Sequence, residues 1–374
     1  MSQHELYEHR GYLADERKAA AYRAALAETV GPDDVVLDLG TGTGLLGYLA
    51  CDAGAKSVIA VDRGDILELA QRIAADNGYG QRITHIKSLS TETELDTPVD
   101  VVVCDQIGGL VHDAGILSCF ADARRRFLAP GGRLVPASFR IFVAPVTFDI
   151  GWKAVEFWSS KPASLDVSAA RPMAANTEWK YNVVADDLVR LAPGRELAAF
   201  SSDHEDPISG TAAFTVDQAG RFDGFIGWFE AQMSPSVTLT NDPWSPDRFD
   251  RWCNFYPVDG TADLATGEGL RLRLDIRPRS GTVSWATDVI HGDGRKQSFR
   301  HSTFLATSKA DLAGPSTAIT RSEGVDLAKQ VLDLIDGSRT LADIVTAMSS
   351  HVGSGFKSRS HLESFVRKVT TLGQ

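Results

Sequence analysis

Cysteine is scarce in this sequence, long apolar runs are missing, and acidic residues outnumber basic ones. The 4 cysteines among 374 residues include no Cys-x-x-Cys pair, which argues against a disulfide framework and against a zinc site. No stretch approaches the roughly 18 apolar residues that mark a membrane-spanning helix, and the polar N-terminus lacks the apolar core of a signal peptide. These absences predict a cytoplasmic protein that holds no metal and crosses no membrane.

The charge balance also excludes a class of partner. Asp and Glu number 49 and Lys and Arg 38, for a formal net charge of −11. Binding to nucleic-acid phosphates needs a basic face, so we expect no nucleic-acid partner. A negative protein suits a cationic or amine-bearing substrate better. The length allows two or three domains.

Short apolar strands alternate with amphipathic helices in the first third of the chain. This alternation predicts a doubly wound, mostly parallel α/β sheet. The predicted strands are Val35–Leu39, Val58–Val61, Ile83–Ile86 and Val99–Cys104, and the predicted helices are Asp15–Val30, Leu45–Ala53, Ile66–Asn77 and Ile116–Phe127.

The pattern changes after a turn signal at Pro130-Gly131-Gly132. Between about residues 133 and 301, short alternating stretches and Asp-Gly turns predict a largely antiparallel β domain. Residues 152–190 fit this pattern poorly and are expected to form a helical or irregular insertion. Beyond Leu312, apolar residues at helical spacing predict a small module of three helices, in which Thr340 and Asp343 form a capping box.

A glycine-rich segment, Val36–Gly44, indicates a ligand-binding site. A hydrophobic strand leads into Gly40, Gly42 and Gly44 and then into a helix, which is where an open α/β sheet binds its ligand. The spacing also satisfies the Gly-x-Gly-x-x-Gly pattern of dinucleotide sites, and an ordinary tight turn is a further alternative. Asp38 favours another cofactor, because its carboxylate suits the ammonium of a methionine moiety and would repel a pyrophosphate. Asp62 ends the next strand, where it can bind ribose hydroxyls.

The block VLDLGTGTGLLGYLACDAGAKSVIAVD resembles the first two cofactor motifs of class I methyltransferases, which use S-adenosylmethionine and release S-adenosylhomocysteine. The block VDVVVCDQIGG...DARRRFLAPGGRLVP is similar to protein arginine methyltransferases and their bacterial relatives. The resemblance implies a Rossmann-like methyltransferase domain followed by an antiparallel β-barrel, while the later segment VLDLIDGSRTLADIVTAM implies, by a separate resemblance, a winged-helix-like module. The implied domains are a cap helix at 1–30, a cofactor domain at 31–136, an acceptor and dimerisation barrel at 137–305, and a recognition module at 306–374.

The resemblance also assigns roles to residues, with departures. The family has an arginine where Lys18 stands, and lysine lacks the bidentate fork. Only Trp252 matches the family's Thr-His-Trp loop. The implied cofactor-binding residues are Lys18, Asp38, Gly40, Thr41, Gly42, Gly44, Asp62, Arg63, Ser88 and Asp105, and the implied substrate residues are Tyr12, Arg251 and Trp252.

The acceptor loop departs most from the family pattern. Arginine methyltransferases hold the guanidinium with two glutamates, since a buried delocalised cation needs paired carboxylates. Here the first is Asp105, and Ala114 occupies the position of the second, preceded by His112 and Asp113. Asp105, His112 or Asp113 can serve as catalytic base. Alternatively, His112 and Asp113 cap the next helix, and in-line positioning supplies the rate without a strong base.

The segment VLDLIDGSRTLADIVTAM resembles the second half of PqqD-type domains, which bind leader peptides of ribosomally made natural products. The sequence therefore predicts N-methylation of an amine on such a peptide, possibly a terminal amine as in daptide-type pathways, by a homodimer. The alternatives are arginine methylation, small-molecule methylation with a structural C-terminal tail, and a non-catalytic scaffold that binds cofactor and peptide.

Overall fold

A computed structural model describes residues 3–306, 323–352, 356 and 358–371. Its backbone contacts divide the chain into two compact units, residues 1–307 and 308–374. Among the described residues, no helix is long and apolar enough to cross a membrane.

The first unit begins with two helices and a five-stranded parallel sheet. The strand order is β3-β2-β1-β4-β5, so the predicted doubly wound parallel sheet is confirmed. The elements are α1 (Gln3–Ala14), α2 (Glu16–Thr29), β1 (Val35–Leu39), α3 (Leu45–Asp52), β2 (Ser57–Asp62), α4 (Ile66–Asp76), β3 (Ile83–Lys87), β4 (Val99–Cys104), α5 (Ile116–Arg126) and β5 (Leu128–Val135).

The central strands are continuous apolar runs because helices cover both faces of a parallel sheet. Val36 and Leu37 in β1 and Val101–Val103 in β4 are fully buried. The exception in β1 is Asp38, which is equally buried and polar. Strand β5 was missed: the predicted turn at Pro130–Gly132 lies inside it. Proline fits there because β5 is an edge strand with one side free of ladder bonds.

The rest of the first unit is mostly antiparallel. Its elements are β6 (Ser138–Thr147), α6 (Asp149–Glu156), α7 (Arg171–Ala175), β7 (Trp179–Tyr181), β8 (Val189–Arg190), β9 (Arg195–Ser201), β10 (Ile208–Thr215), β11 (Gly220–Gln232), β12 (Thr238–Thr240), β13 (Cys253–Leu264), β14 (Gly269–Arg277), β15 (Thr282–Ile290), β16 (Lys296–Ser302) and α8 (Thr303–Ala306).

These strands form two sheets. One runs β7-β13-β11-β6-β8, with β9 paired to β6 and β12 to β11, and the other runs β10-β14-β15-β16. In the part of the chain that the structure describes, the pairings give two open sheets, so the barrel stays a prediction. The poorly patterned segment 152–190 holds α7 and the short strands β7 and β8, with α6 at its start.

The second unit contains three described helices, α9 (Glu323–Asp333), α10 (Leu341–Ala347) and α11 (Arg359–Thr371). Val331, Leu362 and Val366 are fully buried between them. The predicted capping box is confirmed, because Thr340 accepts from the Asp343 amide while the Asp343 carboxylate accepts from the Thr340 amide. The winged-helix assignment stays a prediction.

Candidate active site

A cavity of about 620 Å³ opens in the first unit, at the carboxyl ends of the parallel strands. Leu39 ends β1, Asp62 ends β2, Ser88 follows β3 and Asp105 follows β4, and all four line the cavity. Open α/β sheets bind ligands in this crevice. The volume falls within the range of roughly 300–1,000 Å³ that is typical of small-molecule sites.

The glycine turn after β1 forms one wall of the cavity through Gly40, Thr41 and Gly42. Gly44 stands behind this wall, as the residue that begins α3, with φ of +93°. A Cβ there would lie 2.4 Å from the Tyr48 hydroxyl. Both the positive φ and the close approach of Tyr48 require glycine. Gly44 therefore shapes the turn. It does not line the cavity, although the sequence predicts it as a cofactor-binding residue.

Asp38 lies beneath the same turn and is fully buried. Its Oδ2 accepts hydrogen bonds from the Thr41 hydroxyl (2.5 Å) and the Gly47 amide (2.9 Å), whereas its Oδ1 has no partner among the described residues. Burial raises the pKa of Asp38 to about 7, against the lowering effect of the two hydrogen bonds. These bonds hold Oδ2 toward the backbone of the turn, and the contact of Asp38 with a cofactor ammonium stays a prediction.

Asp62 holds the other side of the turn. Its two carboxylate oxygens accept from the amides of Gly42 (2.9 Å) and Gly64 (2.7 Å). Each carboxylate oxygen has two lone pairs, so Asp62 keeps acceptor capacity toward the cavity that it lines. Arg63 and Ser88 line the cavity beside it, as the sequence predicted.

A cluster of charges lies at the opposite end of the cavity. The Nζ atom of Lys18 is 2.6 Å from Oδ2 of Asp105, and the Arg251 guanidinium is 3.2 Å from Oδ1. The Tyr12 ring lies 4.8 Å from Lys18 Nζ, at cation–π distance. Lys18 and Arg251, predicted from distant parts of the chain, therefore meet at Asp105, and the Tyr12 ring lies against Lys18.

Tyr12 also brings an unpredicted carboxylate to the cavity. Its hydroxyl donates to Oε1 of Glu8 over 2.7 Å, and Glu8 lines the cavity. Burial and the bond to Glu8 raise the pKa of Tyr12 to about 12, so the phenol stays protonated. Gln106 and Cys119 were missed as well; they line the cavity beside Ala114. No motif signals Glu8 or Cys119, because only the tertiary fold brings α1 and α5 to the strand ends, whereas Gln106 directly follows Asp105 in the block that carries the resemblance.

His112 and Asp113 point away from the cavity. The His112 side chain is 3% exposed, with Nε2 3.2 Å from the Glu178 carboxylate and Nδ1 3.1 Å from the Leu110 carbonyl. Asp113 accepts from the amides of Gly109 and Leu110 and pairs with Lys180. The prediction that either is the catalytic base therefore finds no support in this geometry. Neither caps α5, whose N-cap residue is Gly115 and which has no side-chain cap.

Three comparisons bear on this site. The family described as ribosomal protein L11 methyltransferase (PrmA) matches residues 23–137. Protein arginine N-methyltransferase 6 of Xenopus tropicalis is 27% identical over 290 residues, covering 72% of this chain and 85% of that protein. The probable histone-arginine methyltransferase CARM1 of rice is 37% identical over 259 residues, covering 65% of this chain and 49% of that protein.

Two solved structures share the fold. The Trypanosoma brucei PRMT1 enzyme–prozyme heterotetrameric complex with AdoHcy matches with a TM-score of 0.67 and 21% identity, over 78% of this chain and 97% of that one. Arabidopsis thaliana protein arginine methyltransferase 10 matches with a TM-score of 0.66 and 18% identity, over 79% and 97%.

The chain is a class I S-adenosylmethionine-dependent methyltransferase. It resembles the protein arginine methyltransferases, as its sequence predicted, and S-adenosylmethionine is its cofactor. The site of the methyltransferase fits this molecule. The glycine turn allows close approach, Asp62 offers acceptors for hydroxyls, and Lys18 offers a cation for a carboxylate.

Most of the predicted cofactor and substrate residues line the cavity of the methyltransferase. They are Tyr12, Lys18, Gly40, Thr41, Gly42, Asp62, Arg63, Ser88, Asp105 and Arg251. Asp38 and Gly44 lie behind the turn. Trp252 is 52% exposed and does not line the cavity, so its substrate role stays a prediction.

Proposed function

We propose that this methyltransferase methylates a side-chain nitrogen of arginine in a protein or peptide. The observation that carries the proposal is Asp105, a carboxylate at the end of the cavity that is bracketed by Lys18 and Arg251. It follows β4, as the first acid of the acceptor loop does in the family that the sequence resembles. The similarity to arginine methyltransferases over 72% of the chain supports the same acceptor.

The acidic and basic residues of the cavity have different roles in this proposal. Asp62 holds the ribose hydroxyls and Lys18 pairs with the methionine carboxylate, while the turn at Gly40–Gly42 leaves room for the cofactor backbone. The bound cofactor supplies an electrophilic methyl group. Asp105 accepts a hydrogen bond from the acceptor nitrogen and orients it, and the same carboxylate is placed to receive its proton. Arg251 and Tyr12 border this position.

A second candidate acceptor is an amine on a peptide, including the terminal amine of a ribosomally made product. Ala114 favours it: the residue at the second carboxylate position of the family lines the cavity without a charge. A small ammonium or amine needs fewer hydrogen-bond acceptors than a planar guanidinium with its five N–H donors. Under this alternative, Asp105 alone serves the nitrogen.

The acceptor is tested with three peptides of one sequence, in which a single position is arginine, lysine or norleucine, each with a free or an acetylated N-terminus. Methyl incorporation is located by fragment mass spectrometry. Methylation confined to the arginine peptides supports the proposal. Methylation that follows the free N-terminus or the lysine overturns it in favour of the amine. Asp105→Asn is the matched inactive control, because it keeps the shape and removes the charge.

We infer that the methyltransferase forms a homodimer through the segment 149–190. Ile150, Phe157 and Leu165 expose large apolar side chains there, and exposed apolar groups of this kind mark interfaces. Light scattering should give twice the chain mass for the wild type and a monomer for Ile150→Asp. Ile290→Asp, at an exposed apolar residue of β15 outside this segment, is the control and should remain dimeric. A monomeric wild type overturns the inference.

For the second unit we propose a recognition role, in which residues 308–374 bind a segment of the peptide outside the modified position. Leu332, Ile335 and Val352 expose apolar side chains on this unit, and the sequence there resembles PqqD-type domains. Removing residues 308–374 should raise the KM of a long peptide and leave the KM of a short peptide unchanged. Equal effects on both peptides contradict the proposal.

A further inference from the structure

His112 is held between two hydrogen-bond acceptors. Its Nδ1 lies 3.1 Å from the Leu110 carbonyl oxygen and its Nε2 lies 3.2 Å from the Glu178 carboxylate. A neutral imidazole has one N–H donor and one lone pair, so it satisfies only one of these contacts. Only the imidazolium donates at both nitrogens. The geometry therefore calls for a positive charge on a side chain that is 3% exposed.

The bond to Leu110 restrains a strained piece of backbone. Val111 has φ of +70°, in the left-handed region that a β-branched residue rarely adopts. The His112 amide donates to the Leu110 carbonyl over 2.8 Å, which closes a γ-turn about Val111. The same carbonyl therefore accepts from both the amide and the ring of His112. Strain of this kind persists only where surrounding contacts over-determine it.

Glu178 is the counter-ion that fixes the ring. It immediately precedes β7, and its carboxylate also accepts from the Asn254 amide (2.7 Å) and the Tyr256 hydroxyl. Burial alone would raise the pKa of Glu178, but its bonds and the His112 charge bring it below its usual value. Burial likewise opposes charge on His112, yet Glu178 and Asp113 raise the pKa of His112 above its usual value.

We propose that the His112 imidazolium and the Glu178 carboxylate form a charged clamp that positions the loop 105–115 for the acceptor. Deprotonating His112 removes one of its two ring bonds and loosens the turn at Val111, while the cofactor wall on β1 and β2 is untouched. This proposal depends on the proposed function in one respect, namely that the loop 105–115 contacts the methyl acceptor. Both members are positioning residues, since neither lines the cavity.

The charges around His112 set the direction of its pH response. Glu178 faces the ring directly, Asp113 adds negative charge from the same loop, Lys180 pairs with Asp113, and the Tyr256 phenol bonds to Glu178. Because the pKa of folded His112 is raised, the clamp is closed below the ordinary histidine value and opens as pH rises through the folded value. The KM of the acceptor should therefore rise with pH over that range.

The test variant is Glu178→Gln. The amide leaves the pocket shape intact but provides no counter-ion, so His112 becomes neutral and the charged bond that ties the loop to residue 178 is lost. At pH 7.5 we expect the acceptor KM to rise about tenfold, as for loss of one charged hydrogen bond, with cofactor Kd changed less than about twofold. The rise of KM with pH should shift to lower pH.

Glu268→Gln is a matched control. Glu268 lies 3.2 Å from His291 in a pair that is similarly buried, with side chains 13% and 7% exposed, and the two residues flank β14 and β15. It should leave the acceptor KM and its pH profile unchanged. An equal rise of KM in both variants overturns the clamp, because a general loss of stability then explains it.

Hydrogen exchange keeps the clamp testable without catalysis. In the wild type with bound S-adenosylhomocysteine, the amides of the loop should lose protection as pH rises, after correction for the intrinsic exchange rate, and lose it at lower pH in Glu178→Gln. Unchanged protection overturns the clamp even if the variant fails to fold, because the wild-type titration stands alone. If arginine and amine peptides both go unmodified, the proposed function fails while the exchange result still decides the clamp.

Discussion

Lys18 and Asp105 form an ion pair over 2.6 Å at the charged end of the cavity, and the lysine side chain is only 3% exposed. Lys18 lies on α2, and Asp105 directly follows β4. Under the proposed function, the pair places the cation for the methyl donor beside the anion for the acceptor. A cofactor carboxylate that approaches Lys18 competes with Asp105 for the same ammonium.

Lys18→Met should weaken cofactor binding by at least about tenfold, the loss of one charge-assisted pair. Lys18→Arg should recover most of the affinity, because the charge returns with more donors. Isothermal titration with S-adenosylhomocysteine measures both. Lys56→Met, at an exposed lysine, is the control. Unchanged affinity in Lys18→Met would remove this residue from the cofactor site.

Ala114→Glu should lower the KM of an arginine peptide several-fold, because it restores the second carboxylate at an exposed, cavity-lining position. Ala114→Gln has the same size without the charge and is the matched control. Steady-state kinetics with the arginine and lysine peptides measure the effect. A gain in both variants, or in neither, counts against a guanidinium in this cavity.

Asp38→Asn should stabilise the cofactor-free protein at pH 7.5, by on the order of 1–3 kcal/mol. The pKa of Asp38 is about 7 when folded against 3.8 as its ordinary value. Between these values the folded chain keeps a proton that the unfolded chain has released, so this residue's contribution to stability falls as pH rises from 3.8 to 7. Thermal unfolding from pH 5 to 8 should show that fall in the wild type and its absence in Asp38→Asn. If the stability of the wild type and of Asp38→Asn changes with pH in parallel, the raised pKa of Asp38 is contradicted.

Gly44→Ala should destabilise the fold more than Gly54→Ala. Both glycines have φ near +100°, at +93° and +104°, so both substitutions strain the backbone by about 1 kcal/mol. Only at Gly44 does the added Cβ meet a neighbour, the Tyr48 hydroxyl at 2.4 Å, whereas Gly54 has open space. Urea unfolding compares the two. Gly44→Ala should also weaken cofactor binding, and equal effects of the two substitutions would show that Tyr48 simply moves aside.

The sequence predicted the donor side because its signals are local. A strand that runs into Gly40, Gly42 and Gly44 needs a tight turn wherever it occurs. The regular spacing of strands and helices then places Asp62 at the end of the next strand. The alternation of strands and helices predicts the parallel sheet in the same way. Even so, the pattern could not show that Asp38 turns toward Thr41 and Gly47, since its orientation depends on hydrogen bonds made after folding.

The acceptor side depended on contacts between residues far apart in the chain. Glu178 follows His112 by 66 residues and reaches it through the pairing of β7 with β13, and no motif marks that encounter. Glu8 and Arg251 reach the cavity from opposite ends of the first unit. By itself the sequence determined the fold class and the methyl donor, because periodicity and glycine spacing act within a few residues. Tertiary structure alone decided which polar groups line the cavity and which, like His112 and Glu178, pair with each other outside it, because burial and pairing set the charge and direction of each side chain.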